Sequence, residues 1–212
     1  MDGSSTPFIY APFAHSRRHA PASYKDYRDF KPWLRDEFVF RSVYRLEREM
    51  WYPDRADSFS VDHVTPRQGE NGDSSLECTY SNLVYACTRC NSLKQGLLLL
   101  DPTKQAMGVH IQVDPEGNIT GPTRRGKILI CQLRLDVEPA LSVRKYGLEL
   151  IALKTAHPDE PRVDCLFIDQ FRYPNDLPDL LKLKPPGGNV LKKNSENSHF
   201  ARRDRDVLPE VY

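Results

Sequence analysis

The chain has 212 residues, of which 39% are apolar and 28% charged, and its net charge is +1. That length is enough for one substantial core with arms, and the near-neutral total excludes a global basic field, so any nucleic-acid site must come from local clusters of Lys and Arg. No apolar run approaches the roughly 18 residues of a membrane span, and the start MDGSSTPFIYAPFAHSRRH lacks a secretory signal, so a cytoplasmic protein with no membrane partner is expected.

Residues 1–30 read as an N-terminal arm, broken by Pro7, Pro12 and Pro21 and carrying Phe8, Tyr10, Phe13, Tyr24, Tyr27 and Phe30. Aromatics in such a segment predict packing across a core. Arg17, Arg18 and His19 are either a phosphate contact or a solvated turn. A short helix is expected from Pro32 through Phe38, followed by a stretch that could turn as a hairpin. Residues 58–64 alternate as a strand, 66–80 form a Gly-, Asn-, Asp- and Ser-rich loop, and 82–86 form a second short strand. Thr88 to Leu98 fits one helix with Thr88 as its cap. A hairpin around Pro115-Glu116-Gly117-Asn118 and two helices, opened near Thr123 and Glu138, follow. The helices are expected to pack behind the two strands. Beyond Thr155 the chain is Pro-rich and basic, with Lys182, Lys184, Lys192, Lys193, Arg202, Arg203 and Arg205, and reads as a mobile tail or a solubilising linker.

The chemistry concentrates in VDHVTPRQGENGDSSLECTYSNLVYACTRCNSLKQG, residues 61–96. An Asp-His pair ends the first strand. Asn82 follows nineteen residues after His63, Asn91 nine residues later, then Lys94, with Cys87-Thr88-Arg89-Cys90 just before Asn91. This order resembles the HNH endonuclease family, in its Asp-His / Asn / Asn form. The resemblance implies an α+β fold: a ββα-metal (HNH) core with additional packed helices, a small β-hairpin and extended N- and C-terminal arms. The expected units are the arm at 1–30, the nuclease domain with supporting helices at 31–155, and the Pro-rich, basic extension at 156–212.

Phosphodiester hydrolysis needs a base for water and positive charge for the phosphoryl and leaving oxygens. His63 is the candidate base, since an unperturbed imidazole is largely neutral at cellular pH. Asp62 and Asn91 offer hard oxygen donors, which suit Mg2+, with Mn2+ as a substitute. Neighbours on a regular strand point to opposite faces, so a twisted or bulged strand end is required for Asp62 and His63 to serve one site. By resemblance, Asn82 ties down the loop and orients His63, and Pro66 shapes the loop exit. Lys94, on the Asn91 face of the helix, and more weakly Arg89, are expected phosphate contacts.

Many proteins of this family hold a structural zinc between two Cys-x-x-Cys knuckles. Cys87 and Cys90 resemble the second knuckle, whereas Ser42 and Arg45 stand where the first pair of thiols belongs. Ser is a poor zinc ligand and Arg is none, so the knuckle reads as vestigial and a structural zinc is not expected, unless Cys78, His110 or a partner chain replaces the lost ligands. An exposed pair of Arg45 with Glu47 or Glu49 is expected to add little.

The resemblance implies a metal-dependent endonuclease acting on DNA, with RNA as an alternative substrate, in a setting such as bacterial or phage defence. A regulatory ATPase subunit or a homodimer are the candidate protein partners, and the chain has no P-loop of its own. The competing expectation is a weak or inactive HNH-scaffold subunit that binds nucleic acid or a partner protein.

Overall fold

The computed structural model describes residues 7–212, so the first six residues of the expected arm lie outside the described part. Helix α1 (Lys31–Glu37) has Pro32 in its first turn, where no amide donor is needed. It stops at Phe38 because Val39 and Phe40 adopt positive φ. A tight loop then returns the chain, with an isolated bridge pairing Arg41 and Arg48. Strands β1 (Phe59–His63) and β2 (Leu83–Cys87) pair antiparallel, from Phe59 opposite Cys87 to His63 opposite Leu83. Helix α2 (Thr88–Lys94) leaves β2 without an intervening loop, which completes the expected ββα unit.

Helix α2 is shorter than the 88–98 expectation. Gln95 takes φ 50° and Gly96 follows, while Leu97 and Leu98 face solvent, so no buried apolar face carries the helix onward. Thr88 is not its cap. The Thr88 hydroxyl donates instead to the Ser58 carbonyl at 3.1 Å, and Cys87 stands at the cap position.

Short helix α3 (Met107–His110) precedes the small hairpin β3 (Gln112–Val113) and β4 (Ile119–Thr120). Thr123 caps α4 (Arg124–Leu133) by accepting the Gly126 amide at 3.1 Å, as its place in the sequence predicts. A Cβ at Gly126 would sit 1.8 Å from the His110 carbonyl oxygen, so only glycine allows α4 to approach α3 this closely. Helix α4 does back the ββα unit: Gln132 donates to the Leu93 carbonyl on α2 at 3.0 Å. Helix α5 (Ala140–Ala156) instead packs on α6 (Pro161–Phe171), with the Trp51 indole N–H bonded to the Gln170 carbonyl.

Most of the arm's aromatics pack as predicted, but Phe13 is 69% exposed. Phe8, Tyr10 and Phe30 are buried in the main core with Trp33, Tyr44, Phe59 and Tyr85. The basic extension is not a mobile tail. It forms α6, α7 (Lys192–Ser195) and α8 (His199–Asp204) and returns to the body, where Phe40, Tyr173 and Leu177 make a second cluster against Tyr212. The physical reason is a buried polar clamp. Asp36 at the end of α1 accepts from His19 of the arm at 2.8 Å, and from the amide and ring of His199 in α8 at 2.7 Å each. Arg17 and His19 accordingly serve the fold: Arg17 donates to the Ser81 and Leu83 carbonyls, and His19 is fully buried. No helix is long and apolar enough to cross a membrane among the described residues.

Candidate active site

His63 ends β1 with its ring on the Phe59–Val61 face of the strand. Its Nε2 lies 3.0 Å from the Glu77 carbonyl oxygen. A carbonyl only accepts, so Nε2 carries the proton and Nδ1 keeps the lone pair. Nδ1 takes no hydrogen bond among the described residues and is not one of the buried atoms left without a partner, so it stays open to solvent. Burial, assisted by the charge of Arg67, lowers the His63 pKa below its usual value, which keeps the imidazole neutral and able to take a proton. Tyr27, from the arm, packs edge-on to the imidazole at 4.8 Å.

Asn82 ties down the loop between the strands, the part the resemblance implies for it. Its Oδ1 accepts the Thr65 amide at 2.8 Å, and its Nδ2 donates to the carbonyls of Thr65 at 3.0 Å and Leu76 at 3.4 Å. Leu76 adjoins Glu77, so the same clamp presents the carbonyl that orients His63. Asn82→Ala is expected to cost about 1–3 kcal/mol, because buried loop groups lose their partners, and to lower any cleavage rate with it. Thermal denaturation checks the first part, and an unchanged melting temperature would show that the loop is held by other contacts.

The opposite face of β1 carries Ser60 and Asp62. Asp62 is 2% exposed; its Oδ2 accepts from the Tyr44 hydroxyl at 2.7 Å and its Oδ1 from the Lys94 ammonium at 3.1 Å. Lys94 also donates to the His63 carbonyl and is 1% exposed. The phosphate contact expected of Lys94 is therefore corrected: its charge is spent inside, neutralising Asp62 and tying α2 to the end of β1. Arg89 is exposed and forms no ion pair among the described residues, so it remains accessible to an anion.

Asn91 turns its amide nitrogen inward, to Ser60 Oγ at 2.9 Å and the Val61 carbonyl at 3.2 Å. Its Oδ1 therefore faces away from the strand, without a protein partner and outside the set of buried orphan atoms. The strand distortion expected at Asp62-His63 is absent, since pairing is regular through His63 and the two side chains take opposite faces. Lys94 bonds the Asp62 carboxylate and the His63 backbone carbonyl, not its ring, so the structure does not bring the Asp62 side chain and the imidazole to one face.

The donor set suits a hard cation. Each carboxylate oxygen of Asp62 keeps a lone pair beyond its single hydrogen bond, and Asn91 offers a free amide oxygen. Among the described residues no group of three or more His, Cys, Asp and Glu could hold a metal. A cation here would have to share the Asp62 oxygens with the Tyr44 hydroxyl and the Lys94 ammonium that now engage them.

The vestigial knuckle does not fit a structural zinc. Cys87 and Cys90 are buried, free thiols. The two thiols share one proton environment, which draws Cys87 below the usual thiol range and pushes Cys90 above it. Ser42 Oγ is engaged by the Cys87 amide at 3.2 Å. Arg45 lies within electrostatic reach of both thiols and pairs with Glu47 at 3.2 Å. That pair is buried, contrary to the exposed one expected, and it brings a fixed positive charge to the corner where the thiols meet. Cys78 and His110 are bonded elsewhere, to the Lys25 carbonyl and the Thr123 hydroxyl.

Sequence reasoning missed Tyr44, Tyr27 and Arg67. Arg67 carried a signal, as the basic residue next to Pro66. Tyr27 carried none, because only the folded arm brings it to His63.

Residues 50–96 match the family model for HNH endonuclease. The chain is also 30% identical over 71 residues to a Vibrio cholerae (serotype O1 biovar El Tor) protein named as a candidate HNH endonuclease of retron Vc95. That alignment covers 30% of this chain and 35% of the relative's length. No solved structure matches. The ββα unit with its Asp-His, Asn, Asn order falls within the stretch that matches the HNH endonuclease model, so the likeness to that family rests on residues 50–96 and the 71-residue alignment.

Proposed function

We propose that this chain is a metal-dependent endonuclease that hydrolyses DNA, with His63 as the base. The observation that carries the reading is the imidazole itself: Nε2–H is held by the Glu77 carbonyl and Nδ1 is left open. As water attacks phosphorus, its proton passes to Nδ1. The new P–O bond forms as the P–O3′ bond breaks, and the departing O3′ takes a proton from solvent water, leaving a 5′ phosphate and a 3′ hydroxyl. Asp62 and Asn91 are the residues that would hold Mg2+ or Mn2+, which when bound supplies positive charge for the phosphoryl and leaving oxygens. Asn82 keeps the base in one tautomer through the loop, and Lys94 sets the spacing of α2 from β1. The retron in the relative's name supports an effector role in a bacterial defence setting, where a regulatory ATPase subunit or a second copy of the chain would be the partner.

Nicking of supercoiled plasmid tests this. Activity is expected with Mg2+ and to be lost in EDTA, and His63→Ala is expected to lower it by about 100- to 10,000-fold. An equally active His63→Ala protein would remove the imidazole from the mechanism.

One observation favours a second reading, an HNH scaffold that binds nucleic acid or a partner protein without cutting. Asp62 is almost fully buried and both its oxygens are engaged. Metal-loaded protein that binds DNA and never cleaves it would favour that reading.

A further inference from the structure

Beside His63 lies a second cationic group that the hydrolytic scheme does not use. Arg67 opens the loop between the strands, directly after Pro66. Its Nη1 donates to a Glu77 carboxylate oxygen at 2.7 Å, and its guanidinium lies over the Tyr27 ring at 4.9 Å. Tyr27 in turn packs on the His63 ring, and the Glu77 carbonyl holds His63 Nε2. One residue, Glu77, thus anchors Arg67 through its side chain and the imidazole through its backbone. The Arg67 side chain is 45% exposed. A guanidinium carries five donors, and only one is used among the described residues, which leaves donors for an anion on a side chain nearly half exposed. A planar guanidinium set over an aromatic ring and fixed by a carboxylate is pre-organised for a phosphate.

We propose that Arg67 is a substrate-binding residue that grips a backbone phosphate of the DNA strand next to the one attacked at His63. This rests on the nuclease reading above and extends it, because Arg67 takes the contact that buried Lys94 cannot make. Its charge positions the strand and is indifferent to base identity. The Glu77 anchor fixes how far the phosphate sits from the imidazole. Arg28 lies at the rim, 5.9 Å from the Tyr27 ring, but its guanidinium is already taken up by Asp26.

The test uses the full-length chain and a fluorescein-labelled DNA duplex, with binding read by anisotropy across a salt series in the His63→Ala background and cleavage read in the otherwise unaltered protein. Arg67→Ala is expected to weaken binding and raise KM by roughly 10- to 100-fold, with the loss falling on KM more than on kcat. The slope of log affinity against log salt should shrink by about 0.9, the contribution of one phosphate. Arg67→Lys should restore the salt slope but only part of the affinity, because an ammonium cannot reproduce the fork. The Arg67–Glu77 pair is exposed, so unchanged melting temperatures are expected and loss of fold is separable from loss of contact. Cleavage with an unaltered KM and salt slope in Arg67→Ala would overturn the assignment and leave the nuclease reading intact. An unsubstituted chain that neither binds nor cuts DNA would overturn both.

Discussion

Lys94→Met is expected to destabilise the protein by about 3–5 kcal/mol, because it leaves the Asp62 carboxylate buried without a counter-charge. For a chain of this length that corresponds to a fall in melting temperature of roughly 6–20 °C. The ammonium has two partners, the carboxylate and the His63 carbonyl, so its loss also frees α2 from the end of β1. The double variant Asp62→Asn/Lys94→Met should recover much of the stability, since the stranded charge is gone and Tyr44 can still donate to the new amide oxygen. Differential scanning calorimetry on the two single variants and the double variant measures the coupling directly. Additive losses would show that Asp62 and Lys94 are not the coupled pair their 3.1 Å separation describes. The experiment also bears on the site, because Asn91 sits on the helix that Lys94 secures.

A second large effect is expected at Asp36. This carboxylate is fully buried and joins three parts of the chain: the arm through His19, α1 itself, and α8 through His199. Burial alone would raise its pKa, but the hydrogen bonds from His19 and His199 outweigh burial and hold it well below the usual carboxylate range. A depressed folded-state pKa means that the stabilisation is fully present above the unfolded value, about 4, and is lost progressively as pH falls below it. Asp36→Ala should therefore cost about 3–5 kcal/mol at neutral pH. The gap between the unsubstituted protein and Asp36→Ala should narrow as the medium is acidified below about pH 4. Limited proteolysis at neutral pH should cut the variant first in residues 7–30 or after 171, the segments the clamp holds. A pH-independent gap in stability would mean that Asp36 acts through packing and not through its charge.

Legibility differed between the two halves of the site for a physical reason. The ββα unit is local: a strand, a pinned loop, a strand and a helix within about 40 residues, each signalled by alternation, loop composition or motif spacing. The functions of His63 and Asn82 follow from backbone groups inside that segment, at Glu77, Thr65 and Leu76. For that reason the motif could announce how these two side chains are held, while their part in catalysis stays a proposal. Lys94 was misread because spacing on a helix says which face a residue takes but not whether that face is buried. The buried partner is Asp62, thirty-two residues away, and it is burial that turns a solvated cation into an internal one. The length of α2 differs for a related reason: after the turn at Gln95-Gly96, Leu97 and Leu98 face solvent and Leu100 reaches the core from an extended segment, not from a helix face.

The termini make the same point over longer distances. The aromatics of the arm announced burial, yet nothing in the sequence said that Tyr27 would reach His63 or that His19 would meet Asp36 and, through it, His199. The C-terminal stretch has the composition of a linker, and composition measures only how much apolar surface a segment can bury by itself. Here a carboxylate at the end of α1 and an aromatic cluster around Phe40 supply what the segment lacks.

By itself, then, the order of residues announced the HNH likeness, the candidate base and amide, and the Ser and Arg that stand in place of the first pair of zinc thiols, because those depend on residue identity and short-range spacing. Only the tertiary structure decided which charges are internal, which lone pairs stay open and which surface cation stands next to the imidazole. Those properties arise from contacts between segments far apart in the chain, and desolvation there sets the energy of every charged group.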